Sequence, residues 1–330
     1  MPEHRPLSIH ILGIGEITTT IEVRGPHWGK LHPEEKRWMK LAYKRMPPFP
    51  SGSEARRYVK IHEKYQEILN SLGIDTPWHD NLVKKRDDGK WIVYNRQERL
   101  PTRQVACLVI HDLDHDGCME LFRLLLDKME PVFIHNRDHP ENLIGFDGQI
   151  PNWILTDYDP EKPKIRRDMP VVYIDTSTPL IRYNEEEQLD PELFLKSIPS
   201  IFRPIVRHLF LQEVLDRYYI PREVIKDLIA SFITHRRPDM VPALVKTTND
   251  YLRAKDFGKE AEPFTVKEIE SYNREDVFIW HFFRTLKRID RWVGEKLLGK
   301  TYEQRLPKGP PSQWENLVGA GGKGLTKEDS

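Results

Sequence analysis

The sequence predicts an α+β chain in two lobes, a mostly antiparallel N-terminal sheet carrying one helix and a helical C-terminal lobe that holds one further hairpin. Three observations predict it. Strand-like alternation around a glycine turn dominates the chain up to Lys44, short apolar runs recur at 153–155 and 171–175, and beyond Asp190 the apolar spacing is helical. The 330 residues suffice for a large core. The expected division is 1–108 for the first lobe, 109–306 for the second and 307–330 for an extended tail. That tail, with Gly-Pro-Pro and Gly-Ala-Gly-Gly-Lys-Gly, has little capacity to pack.

Taken in order, Leu7 to Val23 reads as a strand, a turn at Gly13-Ile14-Gly15 and a second strand rich in Thr and Ile. Glycines there let backbone N–H groups approach a ligand, and an ordinary hairpin turn explains them equally well. Trp38 to Lys44 alternates, with Trp38, Lys40, Ala42 and Lys44 on one face and Met39, Leu41 and Tyr43 on the other. Ser53 with Ala55, Tyr58, His62, Tyr65, Leu69 and Leu72 predicts a helix ended by Gly73 and Pro77. Val105 to His111, a continuous apolar run, reads as a strand, and Cys118 to Val132 as an amphipathic helix. The acids Asp112, Asp114 and Asp116 match the first half of a calcium loop, but Arg123 stands where a bidentate Glu is needed, so they read as a helix N-terminus. His135 and His139 have the spacing of a zinc pair without a third ligand. Asn152 to Tyr158 and Val171 to Asp175 are expected to be neighbouring strands, joined by a long connection from Asp157 to Pro170. Helices are expected at 191–197, 202–217, 222–235, 240–254 and 266–298.

The residues able to do chemistry fall in a telling order. Ala42-Tyr43-Lys44 ends a strand, Asp147-Gly-Gln-Ile-Pro-Asn152 sets an acid five positions before an amide, and Val171-Val172-Tyr173-Ile174 ends in Asp175. With the glycine hairpin before them, this order resembles the protein-kinase-like superfamily, most nearly the branch of aminoglycoside phosphotransferases and choline kinases, from the start of the chain to the neighbourhood of Leu180. The resemblance implies a bilobal kinase-like fold, with Val105 to His111 as the hinge. It also implies ATP and magnesium as cofactors, with Asp147 orienting and deprotonating the attacking hydroxyl and Asn152 and Asp175 on the metal. Gly13, Gly15 and Thr18 would cover the phosphates. Thr18 stands where protein kinases have a third glycine, and its hydroxyl is a substitute donor. Lys44 is preferred to Lys40 for the phosphates, because Ala42 leaves room for a flat base on its face while Lys40 follows bulky Trp38. A helix glutamate should hold that lysine. Helical phase favours Glu54 and sequence distance favours Glu63, and phase is given precedence.

The implied activity is transfer of phosphate from ATP to a hydroxyl of a small metabolite, with a non-catalytic nucleotide-binding regulator as the alternative. Gly145 and Phe146 replace the residues usual before the catalytic acid, which favours the regulator, and no Ala-Pro-Glu segment follows Asp175, which argues against a Ser/Thr protein kinase. Lys plus Arg equals Asp plus Glu at 51 each, giving no global attraction to nucleic acid or anionic membrane. The expected partner is a small-molecule substrate. Cys107 and Cys118 lie in apolar surroundings and suggest a reducing compartment. With neither a leader nor an apolar run of membrane length, a soluble cytoplasmic protein is expected. Trp280 to Arg288 and Thr234 to Pro238 offer cations and aromatics but read as a core helix and a helix end.

Overall fold

A computed structural model of the chain describes residues 8–14, 18–24, 40–191, 193, 215–255, 262–277 and 285. The fold is α+β. Its N-terminal sheet has five antiparallel strands in the order β1-β2-β3-β5-β4, with β1 Ser8–Ile14, β2 Thr19–Arg24, β3 Leu41–Arg45, β4 His79–Lys85 and β5 Trp91–Glu98. The β1–β2 ladder shifts register between Ile11 and Gly13, so Gly13 lies in the strand opposite Thr20. Gly15 lies outside the described residues, and Thr18 immediately precedes β2.

Helix α1, Gly52–Ser71, lies between β3 and β4 and buries Ala55, Tyr58, His62, Tyr65 and Leu69, the stripe read from the sequence. Its N-cap is Ser51, two residues before the expected Ser53. The Ser51 hydroxyl accepts the Glu54 N–H at 3.2 Å. Ser51-x-x-Glu54 has the sequence form of a capping box. Gly73, at φ 83°, supplies the left-handed residue that ends the helix.

Val105 to His111 is not a strand. Residues Ala106–Asp112 form helix α2, with Ala106, Cys107, Val109 and Ile110 buried and Leu108 half-buried, so the run shows no polar face before the exposed His111 and Asp112 at its end. Length and apolarity alone do not separate such a helix from a core strand. The long helix α3, His115–Asp138, starts at Asp114, whose carboxylate accepts the Gly117 N–H at 2.8 Å.

Past α3 come β6 Asn142–Ile144, β7 Trp153–Leu155, β8 Val171–Tyr173, β9 Ile181–Tyr183 and β10 Glu186–Glu187. The β7–β8 pair is the expected antiparallel hairpin, and β10-β9-β6 forms a small sheet beside it. Helices α4, Pro221–Thr234, and α5, Val241–Ala254, follow, then helical residues 266–277. The main core packs α2, α3, α4 and α5 with the hairpin and with Tyr65 and Leu69 of α1, which also packs on the sheet through Ala55 and Tyr58. The helices expected at 191–197 and 202–217 fall almost wholly outside the described residues, as do the aromatic segment 280–288 apart from Thr285, and the tail. Among the described residues no helix is long and apolar enough to cross a membrane.

Candidate functional site

The inner face of the sheet is polar where a core face would be apolar. Cross-strand pairing aligns Asn81, Asn95, Lys44 and Thr20 in one row, and His79, Gln97 and Ala42 in the next, with Glu22 on the same face two residues along β2. Glu22, Lys44, Asn95 and Gln97 are all buried. Buried polar groups need partners, and Asn95 and Lys44 find theirs in α1, in β4 and in the segment that follows β8. The Tyr58 hydroxyl of α1 bonds Asn95 Oδ1 and the Ser177 carbonyl, both at 2.8 Å, and Asn95 Nδ2 donates to Asn81 Oδ1 at 2.6 Å. Glu22 pairs with Arg99, just past the end of β5, at 3.0 Å.

Lys44 and Asp175, 131 residues apart in sequence, meet at this face. The Lys44 ammonium donates to the Ile174 carbonyl at 2.6 Å and lies 3.3 Å from an Asp175 carboxylate oxygen. The Ser177 hydroxyl donates to the same oxygen at 3.2 Å. Lys40, the discarded alternative, is exposed.

Asp147 and Asn152 stand on the loop between β6 and β7, which is tied down along its length. The Phe146 N–H donates to the Tyr218 carbonyl, the Asp147 N–H to the Tyr173 hydroxyl and the Ile150 N–H to Ser231 Oγ, each at 3.2 Å. The Gln149 N–H donates to the Asp147 carboxylate at 2.9 Å, and Asn152 Nδ2 to the Asp147 carbonyl at 3.2 Å. Because the Ile174 N–H donates to the Asn152 carbonyl at 2.9 Å, residues 152 and 175 stand at the same end of the hairpin, one beside each strand. Burial first, and then the nearby Asp227 carboxylate, raise the Asp147 carboxyl well above the usual range.

The helix glutamate expected at Lys44 is not there. Glu54 is exposed at the α1 N-terminus beside Ser51, and Glu63 is exposed and accepts from Asn81 Nδ2 at 3.3 Å. Lys44 instead has Asp175 as its ion partner, and the α1 residue whose titration it perturbs is His62. His62 is buried, 3.2 Å from Gln66 Nε2 and 3.4 Å from Thr176 Oγ1, with the His79 ring 5.8 Å away edge-on. Burial above all, and then His79 and Lys44, push its imidazolium down to about 3.

Sequence reasoning also missed a second polar cluster behind Asp147. Asp227 on α4 accepts a hydrogen bond from the Tyr272 hydroxyl, and Arg217 donates to that hydroxyl at 3.2 Å and to the Tyr218 hydroxyl at 3.3 Å. Burial raises the Asp227 carboxyl. The available signal was an acid inside the stripe of Val224, Leu228 and other apolar residues of α4.

Gly145, the first departure from the kinase pattern, has a physical reason. A Cβ there would stand 3.0 Å from the Tyr219 ring, and the Tyr65 hydroxyl donates to the Gly145 carbonyl at 2.7 Å, so tyrosines fill the space of a larger side chain. The other candidates serve structure. Asp112 accepts from the Tyr158 hydroxyl, and His135 bonds the Asn142 carbonyl at 3.0 Å. Arg237 donates to the Ile110 and Leu113 carbonyls, pinning the end of α2. Cys107 and Cys118 are free and buried, and burial pushes the Cys107 thiol up to about 12. Among the described residues no group of three or more His, Cys, Asp or Glu is placed to hold a metal ion.

Residues 19–291 match the family of unknown function DUF6206, and the chain belongs to that family. A comparison with curated proteins returns no match.

Proposed function

We propose that this chain is an ATP-dependent phosphotransferase of protein-kinase-like, bilobal build, acting on a hydroxyl of a small metabolite. The observation that carries the reading is the convergence of Lys44 from the sheet with Asp175 beside the β7–β8 hairpin, whose other strand follows Asp147 and Asn152. In this reading the base lies against Ala42, near the Glu22–Arg99 pair, and Lys44 exchanges Asp175 for the nucleotide phosphates. Asn152 and Asp175 suit magnesium, since both offer hard oxygen donors and the Asn152 amide nitrogen is already engaged, leaving its oxygen for the ion. Magnesium, when bound, neutralises charge on the phosphates. Asp147 orients the acceptor hydroxyl and takes its proton, and its raised pKa gives it the proton affinity a general base needs. Positioning and electrostatics supply most of the rate.

A second reading, a nucleotide-binding regulator without turnover, is favoured by one observation, the lack of a helix carboxylate at Lys44 among the described residues. Incubation with magnesium and γ-labelled ATP against a metabolite panel separates the two. Transfer of label that Asp147→Asn abolishes supports the enzyme, and saturable MgATP binding with no transfer supports the regulator. Absence of any nucleotide binding rejects both.

A further inference from the structure

We propose, resting on the phosphotransferase reading, that Arg217 anchors the acceptor and that the acceptor is therefore an anionic hydroxy compound, a carboxylate or phosphate ester with a free hydroxyl. Arg217 opens the turn Arg217–Tyr219 that leads into α4. The carbonyl of the next residue, Tyr218, accepts from Phe146 N–H at 3.2 Å, and the Tyr219 ring packs against Gly145, so this turn forms the wall behind Asp147. The Arg217 charge is close enough to act on Asp147, opposing the effect of burial.

Among the described residues no carboxylate forms an ion pair with this guanidinium. Its contacts there are the neutral hydroxyls of Tyr272 and Tyr218, at the long end of hydrogen-bonding distance, and the Tyr218 ring, 5.1 Å from its Cζ, while its Nε is shielded from solvent and donates to none of them. Elsewhere the chain gives its sheltered arginines carboxylates: Arg182 meets Glu187 and Asp216 at 2.6 Å each, and Arg222 meets Glu268 at 2.7 Å. Buried charges are ordinarily paired, and a guanidinium presents a fork that matches a carboxylate or phosphate. Asp227 acts on this charge only across the Tyr272 hydroxyl, which accepts from Arg217 and donates to Asp227, so the two form no direct ion pair. This chain of bonds fixes the guanidinium in place while leaving its ion pair to a ligand. The Arg217 cation would also offset the repulsion that Asp147 and Asp227 present to a negatively charged substrate.

The test is calorimetric titration of the full chain with D-glycerate, glycerol 3-phosphate, glycerol and choline, each with and without MgADP. At least one anion should bind well above glycerol and choline, glycerate if the site takes a carboxylate and glycerol 3-phosphate if it takes a phosphate ester. Arg217→Gln should weaken that anion about thirty-fold or more. Arg217→Lys, which keeps the charge and loses the fork, should fall between, and it serves if the Gln variant does not fold. Neither anion binding, glycerol or choline binding as tightly, or full anion affinity in Arg217→Gln would each overturn the proposal. MgADP affinity is read separately: its absence with anion binding intact would reject the phosphotransferase reading and leave Arg217 as an anion site.

Discussion

His62 makes the stability of this fold depend on pH in a way that can be calculated. The ring is 1% exposed, and burial, with His79 and Lys44 beside it, lowers its imidazolium from the ordinary 6.5 to about 3. The unfolded chain thus takes up a proton near pH 6.5 that the folded chain takes only near pH 3, so the stability from the neutral ring is complete above 6.5 and is lost as the pH falls toward 3. At pH 5 the loss is about 2 kcal/mol, and below pH 3 it approaches roughly 5 kcal/mol. Urea unfolding followed by fluorescence at pH 7.5 and pH 5, on the wild type and His62→Gln, isolates this term because the remaining titrating groups are common to both. The wild type should lose about 2 kcal/mol more than the variant on acidification. Parallel losses would mean that the folded ring accepts a proton, and the burial argument would be wrong.

Four further outcomes are expected. Asp175→Ala should abolish metal-dependent nucleotide binding, whereas Asp147→Asn should spare binding and abolish turnover. The Asn variant should also gain stability over the wild type as pH rises above 3.8, since a raised carboxyl pKa makes ionisation costly in the folded state; equal urea midpoints across pH 4 to 8 would contradict this. Glu54→Gln and Glu63→Gln should both keep near wild-type nucleotide affinity, because neither side chain touches Lys44; a large loss in either would show that the helix glutamate acts after all. At Gly148 an added Cβ would stand 2.7 Å from Val224 Cγ1 and 3.0 Å from the Val224 carbonyl oxygen. Gly148→Ala should therefore destabilise by about 1–3 kcal/mol in urea melts, and an unchanged midpoint would mean that α4 yields freely at this contact.

What the sequence disclosed and what it hid divide along the range of the interactions involved. Alternation in β3 put Ala42 and Lys44 on one face, and the apolar spacing of α1 picked out Ala55, Tyr58, His62, Tyr65 and Leu69, because both patterns are set by local backbone geometry. The glutamate assignment failed for a reason that was also local. Ser51-x-x-Glu54 is a capping-box pattern, which fixes Glu54 at the helix end beside Ser51 rather than on the face toward Lys44. The strand reading of 105–111 failed because a short helix whose residues 106–110 are all apolar carries no polar face to set its period.

Arg217 and Asp227 were hidden differently. Nothing near Asp147 in the chain announces them, and they reach it only because the turn at 217–219 docks on Phe146 and α4 docks on the loop through Ser231 and Val224. A buried acid in the stripe of α4 was the trace they left, since a helix that needed only to pack would carry an apolar residue at 227. The same reasoning applies to the sheet. A sheet face that served packing alone would place Val or Ile at the positions of Glu22, Asn95 and Gln97. Holding such side chains away from water costs free energy that bonds such as Asn95 to Tyr58 and Glu22 to Arg99 only partly return. That cost is the physical ground for placing a polar ligand between this sheet face and the Asp147 loop.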